Sequence, residues 1–274
     1  MAVRRSRCCN NSCFIRGTVK DMMHNADDHL PDHAWSVVEL RQYTLHAGQR
    51  DVLIQLFDRE FVESQEAVGM RIVGQFRDLE QPNRFVWIRA FRDMPARADA
   101  LARFYGGPVW KQHAEAANAT MIDSDDVLLL RPVNADSAFP TQSQLRPPPA
   151  ADGPWPESVV MATLCYLGAP VDDAFVEFFV DRVRPVLVQA GAQPLAWLQT
   201  EPAVNTFPAL PVRTGEHVFV WFSSLANLAR YRVYTEQLGR SQVWHESVLP
   251  DLLTRLISPP EQLRLAPTTR SLLR

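Results

Sequence analysis

At 274 residues, 46% hydrophobic and 22% charged, the chain has the length of about two domains and enough apolar surface to give each a core. A net charge of −3 offers no field for nucleic acid or anionic lipid, so neither is expected as a partner. No apolar run approaches the ~18 residues of a membrane span, because the stretch from Ala174 to Ala190 is broken by Glu177, Asp181, Arg182 and Arg184.

Residues 1–35 read as a tail. Its first part carries Arg4, Arg5, Arg7, Arg16 and Lys20 with no acid before Asp21, but no apolar core of a secretory signal follows. A cytoplasmic location is expected, with organelle targeting by the basic tail left open and Met22 or Met23 as an alternative start. His24, Asp27, Asp28, His29, Asp32 and His33 are metal-ligand residue types. They precede the first apolar segment and read as solvated coil, so no metal site is assigned. Cys8, Cys9, Cys13 and Cys165 form no Cys-x-x-Cys pair, which excludes a zinc ribbon or redox motif and predicts reduced thiols.

From Val37 to Leu45 the chain alternates with the period of a strand, and Gly48 breaks it. Apolar residues three and four apart from Val52 to Ala67 predict an amphipathic helix. Arg71 to Arg77 and Phe85 to Phe91 alternate again, joined by the turn signal Gln81-Pro82-Asn83. Pro95 opens a helix with Ala98, Leu101, Ala102 and Tyr105 on one face, and Gly106-Gly107-Pro108 stops it. Val109 to Met121 reads as a second helical segment and Val127 to Arg131 as the closing strand. The order βαββαβ is that of the ferredoxin-like split βαβ unit.

The unit recurs. Phe85-Val86-Trp87 returns as Phe219-Val220-Trp221 and Val109-Trp110 as Val243-Trp244, both shifted by 134 positions. Upstream, Leu53, Leu56, Phe57 and Gly69 map onto Phe175, Phe178, Phe179 and Gly191 at a shift of 122, and the difference fits an insertion around Asn205 to Gly215. The expected organisation is α+β: repeat one at 36–133, a proline-rich linker at 134–156, repeat two at 157–267 and a short tail at 268–274. Helices cover one face of each sheet, so the other faces are expected to meet within one chain.

Val38-Glu39-Leu40-Arg41-Gln42-Tyr43-Thr44-Leu45, followed by Gly48, resembles the opening E-L/F-R-x-Y-x-L-x-P-G of NIPSNAP proteins, with Ala47 in place of the proline. Phe85 to Trp87, the helix with Trp110 and the closing Leu129-Leu130-Arg131-Pro132 are similar too, and the likeness extends more weakly into the second repeat. The resemblance implies a dimeric α+β barrel, a superfamily that includes cofactor-independent monooxygenases, haem enzymes, isomerases and muconolactone-type proteins. It carries no catalytic residues over.

Glu39, Arg41 and Tyr43 share one face of the first strand, and Trp87 and Arg89 one face of the third. These faces are expected to point into the barrel as a polar cavity, with the small aliphatic faces against the helices. Two arginines that can fork an anion and a phenol that can donate a proton fit a small polar or anionic ligand. Mutual neutralisation of Glu39 by the arginines is the plainer alternative. The second repeat has Met161, Thr163, Cys165 and Ser223 at the positions of Glu39, Arg41, Tyr43 and Arg89, which favours one specialised half and one structural half. His46, at the cavity mouth, and His113, on one helix face with Trp110, are secondary candidates. The expected function is a NIPSNAP-type small-molecule-binding or scaffold module without a cofactor, with homo-oligomerisation left open; the alternative is a cofactor-independent monooxygenase or isomerase. Gly-x-Gly-x-x-Gly, P-loop, His-Glu-x-x-His and Gly-x-Ser-x-Gly motifs are absent.

Overall fold

The alternating segments become β1 (Val37–Leu45), β2 (Arg71–Asp78), β3 (Arg84–Phe91) and β4 (Met121–Pro132), followed by β5 (Val159–Leu167), β6 (Pro194–Thr200), β7 (His217–Leu225) and β8 (Glu261–Pro267). The computed structural model describes residues 35–140, 146–148 and 155–274. The readings placed on the N-terminal tail, its cysteines and its histidine–aspartate run lie outside the described residues. Eight antiparallel strands close into a barrel in the order β1-β3-β2-β8-β5-β7-β6-β4. Each half contributes four adjacent strands, and the halves are sewn together where β2 pairs with β8 and β4 with β6.

The predicted first helix is α1 (Arg50–Leu56) and α2 (Val62–Glu66) with a π-helical turn at Phe57–Phe61 between them. Its counterpart is α5 (Asp173–Phe178) and α6 (Arg184–Gln189), with a π turn at Phe179–Val183. Each pair ends on a glycine at positive φ, Gly69 at 98° and Gly191 at 100°, a conformation that costs a side chain strain. The later helices are α3 (Met94–Tyr105) and α4 (Pro108–Asn118) in one half, α7 (Leu228–Arg240) and α8 (Leu249–Thr254) in the other. Asp93 caps α3 by accepting from the Ala96 N–H, and Asn227 caps α7 by accepting from that of Arg230. Met121, read as helical, opens β4 instead, because the helix already closes at Asn118. Among the described residues no helix is long and apolar enough to cross a membrane.

Three cores result. One fills the barrel and joins both halves: Val38, Leu40, Val86, Ile88 and Leu130 meet Val160, Ala162, Leu164, Val220 and Phe222. The others lie outside the barrel wall, each between one half's strands and its own helices. The expectation for the two faces is therefore overturned. The small aliphatic faces fill the barrel, and the face with Glu39, Arg41, Tyr43, Trp87 and Arg89 lies under the helices. An eight-stranded barrel has an interior just wide enough for side chains to fill. Valine, leucine and alanine suit it, whereas indole rings and guanidiniums need the wider helix–sheet space.

Residues 268–274 lie against β2: the Thr268 N–H donates to the Gln75 carbonyl and the Leu273 N–H to that of Val73. Gly74 makes room for them, since a Cβ there would meet the Phe76 ring at 2.3 Å and Ser271 Oγ at 3.1 Å. Arg270 reaches the Asp58 carbonyl and the Glu63 carboxylate. Burial pushes the Asp58 carboxyl up to about 6, against the opposing pull of Arg270 and a 3.0 Å hydrogen bond from Gln75 Nε2. A raised carboxyl holds its proton in the folded state where the unfolded chain has lost it, so its contribution to stability falls as pH rises from about 4 to about 7, by on the order of 2–3 kcal/mol. Asp58→Asn should remove this slope. Denaturation curves of both proteins across that window check it, and parallel curves would refute it.

Candidate functional site

On β1 the side chains of Glu39, Arg41 and Tyr43 emerge on one side, and cross-strand pairing sets Arg89 opposite Glu39 and Trp87 opposite Arg41. All five are buried. Glu39 Oε2 accepts from Arg41 Nη1 and from Arg89 Nε, each at 2.7 Å. Its Oε1 accepts from Arg97 Nε, also at 2.7 Å. Arg97 comes from α3, and with Leu101 and Phe104 it occupies the buried stripe of that helix. A charged residue in register with that stripe was the signal that would have found it from sequence. Gln65 of α2 completes the arrangement: its Oε1 accepts from Arg89 Nη1 at 3.1 Å and its Nε2 donates to the Phe61 carbonyl.

The charges do not balance. Three guanidiniums contact one carboxylate, and among the described residues Glu39 is the only acid any of them pairs with. Burial acts to raise the Glu39 pKa, but the charges of Arg89, Arg41 and Arg97 outweigh it and hold the carboxyl far below the usual range. Burial raises the Tyr43 phenol, which therefore stays neutral and accepts from Arg41 Nε at 2.9 Å. Among the described residues, Arg89 Nη2, Arg97 Nη2 and Trp87 Nε1 are buried without a hydrogen-bond partner. Three unused donors thus accompany the surplus positive charge, and an anion is the chemistry that would complement them.

Aromatic rings pack beside it. Tyr43, Phe57, Phe61, Trp87, Phe104, Tyr105 and Trp110, with Gln65, surround a cavity of about 30 Å³ that the guanidiniums themselves do not line, room for little more than one water. Phe57 packs edge-on to Trp87 at 4.8 Å and Tyr43 to Trp87 at 5.8 Å. A second, larger hollow of about 530 Å³ lies beneath the loop between β6 and β7, against Leu129 and Arg131 of β4. Leu129 pairs with Glu39 across the sheet.

The structure thus gathers the five primary candidates and adds Arg97 and Gln65. It leaves the two histidines outside the charged group. His46 is exposed in the turn after β1, and His113 is half-buried, 3.6 Å from Glu60 and edge-on to Phe61. In the second half, the matching positions hold Met161, Thr163, Cys165, Leu187, Ser223 and Tyr231. Met161, Cys165 and Leu187 there belong to an apolar core with Trp197 and Trp221, and burial alone pushes the Cys165 thiol up to about 12. One half packs dry where the other holds charge.

The first half also has an identifiable relationship. Residues 38–135 match the NIPSNAP family model. The matched segment carries the whole charged group and stops short of the second half. No curated protein matches the chain. Among solved structures, a "putative monooxygenase" from Lactobacillus acidophilus is 15% identical, covering 85% of this chain and 94% of its own, with a TM-score of 0.51. An anthrone oxidase-like protein is 12% identical over 86% of this chain and 93% of its own, with a TM-score of 0.55. A NIPSNAP family protein of unknown function from Agrobacterium tumefaciens is 23% identical, covering 37% of this chain and 92% of its own, with a TM-score of 0.34. The first two likenesses span both halves and establish a common α+β barrel fold.

Proposed function

We propose that the first half binds a small planar anion between its sheet and its helices, and that the reaction class is cofactor-independent oxygenation or isomerisation of that anion. The observation that carries the reading is the cluster of three buried guanidiniums on one carboxylate, in one half only. Removing each guanidinium from water costs several kcal/mol, and the second half forms the same strands and helices with uncharged residues in those places. The surplus charge suits an enolate, phenolate or carboxylate oxygen, and the aromatic walls suit a flat ring.

The roles divide by chemistry. Glu39, its pKa held far down, is no base at neutral pH and serves to position the arginines. Arg89, Arg97 and the Trp87 indole N–H hold the anion, and neutral Tyr43 donates to its oxygen. A substrate acidic enough to arrive ionised supplies the electrons itself. In an oxygenation, a methylene beside a carbonyl loses its proton to solvent and the enolate reduces O2. One oxygen atom stays as a new carbonyl and the other leaves as water. Fold-level analogy to the Lactobacillus and anthrone oxidase-like barrels supports this class and assigns no substrate. The matching π turns, glycines and caps support reading the halves as tandem ferredoxin-like repeats, 36–133 and 157–267, fused so that one chain makes the whole barrel. A non-catalytic scaffold is the second reading, favoured by the 30 Å³ volume of the closed cavity.

Titration calorimetry with 2-naphthoate and its uncharged isostere 2-naphthamide tests the site. The anion is expected to bind tighter by about tenfold or more, and Tyr43→Phe to weaken it by about 3- to 10-fold. The same substitution leaves Arg41 Nε without its acceptor, at a stability cost of about 1–3 kcal/mol. Oxygen uptake with an anthrone then separates oxygenation from binding alone. Equal affinity for acid and amide would end the anion reading.

A further inference from the structure

The loop between β6 and β7, residues 201–216, belongs to the second half but lies over the charged site of the first. It contains no helix or strand, and it is the place of the extra residues that distinguish the two halves. Its bases are pinned to β4: the Glu201 N–H donates to the Leu129 carbonyl and the Arg213 N–H to that of Val127, both at 2.9 Å. Between them the loop touches the site at three side chains. Asn205 Oδ1 accepts from Arg97 Nη1 at 2.9 Å, and Thr206 Oγ1 accepts from the same nitrogen at 3.2 Å. Phe207 stacks on Tyr105, centroids 5.9 Å apart and planes at 26°, and Tyr105 is a wall of the 30 Å³ cavity.

We infer that this loop is a gate over the anion site, and that Asn205 Oδ1 stands on Arg97 in the place an oxygen of the ligand takes when the gate opens. The inference rests on the proposed binding of a planar anion. Arg97 is shared between Glu39, which fixes it, and Asn205, which engages its outer edge with a neutral oxygen. A neutral acceptor makes a weaker bond to a guanidinium than an ionised one, so an incoming carboxylate or enolate displaces it. The loop also borders the 530 Å³ hollow, whose walls include Asn205 itself together with Leu129, Val212 and Arg213. That volume lies within the range of small-molecule pockets, about 300–1,000 Å³. Withdrawal of the segment that carries Asn205, Thr206 and Phe207, with the two pinned bases left in place, joins the hollow to the closed cavity. Phe207 leaves the Tyr105 ring in the same movement and opens an aromatic face to a planar ligand. Asn205 is on this account a positioning residue, and its occupancy of Arg97 sets the affinity.

The prediction has a sign. Asn205→Asp places an ionised internal competitor on Arg97 and keeps the oxygen that accepts the Phe207 N–H, but loses the 2.8 Å bond that Asn205 Nδ2 donates to the Leu210 carbonyl. It should weaken 2-naphthoate binding by about tenfold or more, since it supplies a counter-charge that the cluster lacks. Thr206→Val removes one of the two displaced contacts while leaving Asn205 and its turn intact, and should tighten binding by about 2- to 5-fold. Titrations of the full-length wild type and both variants with 2-naphthoate decide it. If the wild type binds and both variants bind as it does, the gate is overturned and the anion site stands. If Asn205→Asp binds more tightly, the loop is a contact surface for the ligand rather than its competitor, and the gate is again overturned. If the wild type binds neither 2-naphthoate nor 2-naphthamide, the anion reading fails and the gate fails with it.

Discussion

Glu39→Gln is expected to cost about 3–5 kcal/mol of folding stability, the range for breaking a buried ion pair and leaving its partner charged. For a chain of this size that lowers Tm by on the order of 10 °C. The substitution preserves shape and one carbonyl oxygen, so the loss is one of charge: Arg41, Arg89 and Arg97 remain buried with nothing to neutralise them. Thermal and urea denaturation of the two proteins measure it. A Tm within about 2 °C of the wild type would mean that the cluster is far more hydrated than its burial indicates.

Removing the whole cluster should do less harm than removing its carboxylate. With Glu39→Met, Arg41→Thr, Tyr43→Cys, Gln65→Leu, Arg89→Ser and Arg97→Tyr made together, the first half carries the residues found at the matching positions of the second. Replacing a buried ionic cluster by apolar groups is often neutral or stabilising by about 1–4 kcal/mol, and the cavities left by the shorter side chains work against that gain. The sixfold variant is expected within about 2 kcal/mol of the wild type, above Glu39→Gln, with binding of 2-naphthoate abolished. Non-additivity of this kind is the mark of groups that act as one unit. If the sixfold variant fails to fold while Glu39→Gln is tolerated, the charges are structural in the first half and the ligand reading loses its main support.

The pH response carries the same asymmetry. Glu39 is held ionised by its three partners, so the stability it supplies is present above the ordinary carboxylate range and is lost as pH falls below it. Asp58 acts in the opposite sense, because burial favours its protonated form. A comparison of wild type with Asp58→Asn cancels the Glu39 contribution and isolates that of Asp58.

Much of the site was legible in the sequence. Period-two spacing put Glu39, Arg41 and Tyr43 on one face of a strand and Trp87 with Arg89 on one face of another, and these residues do meet. Phe-Val-Trp and Val-Trp recur in the second half of the barrel, where the polar residues are missing, so the asymmetry of charge was visible too. The insertion near Asn205 was visible as a change of register between the halves. These features depend on local geometry, in which side-chain direction follows directly from position along a strand.

Which face turned inward was not legible, because both faces of β1 and β3 carry buried apolar residues and periodicity separates two faces without ranking them. Closure of the barrel made the choice: its narrow interior accepts Val38, Leu40, Val86 and Ile88 and leaves no room for Trp87 beside three guanidiniums. Arg97 joined the site only because α3 folds back over the sheet, 58 residues along the chain from Glu39. Asn205 reached Arg97 from 108 residues away, through the pairing of β4 with β6 that brings one half's loop over the other half's helices. The sequence by itself determined the strands and the polar face; long-range packing decided what that face touches and what covers it.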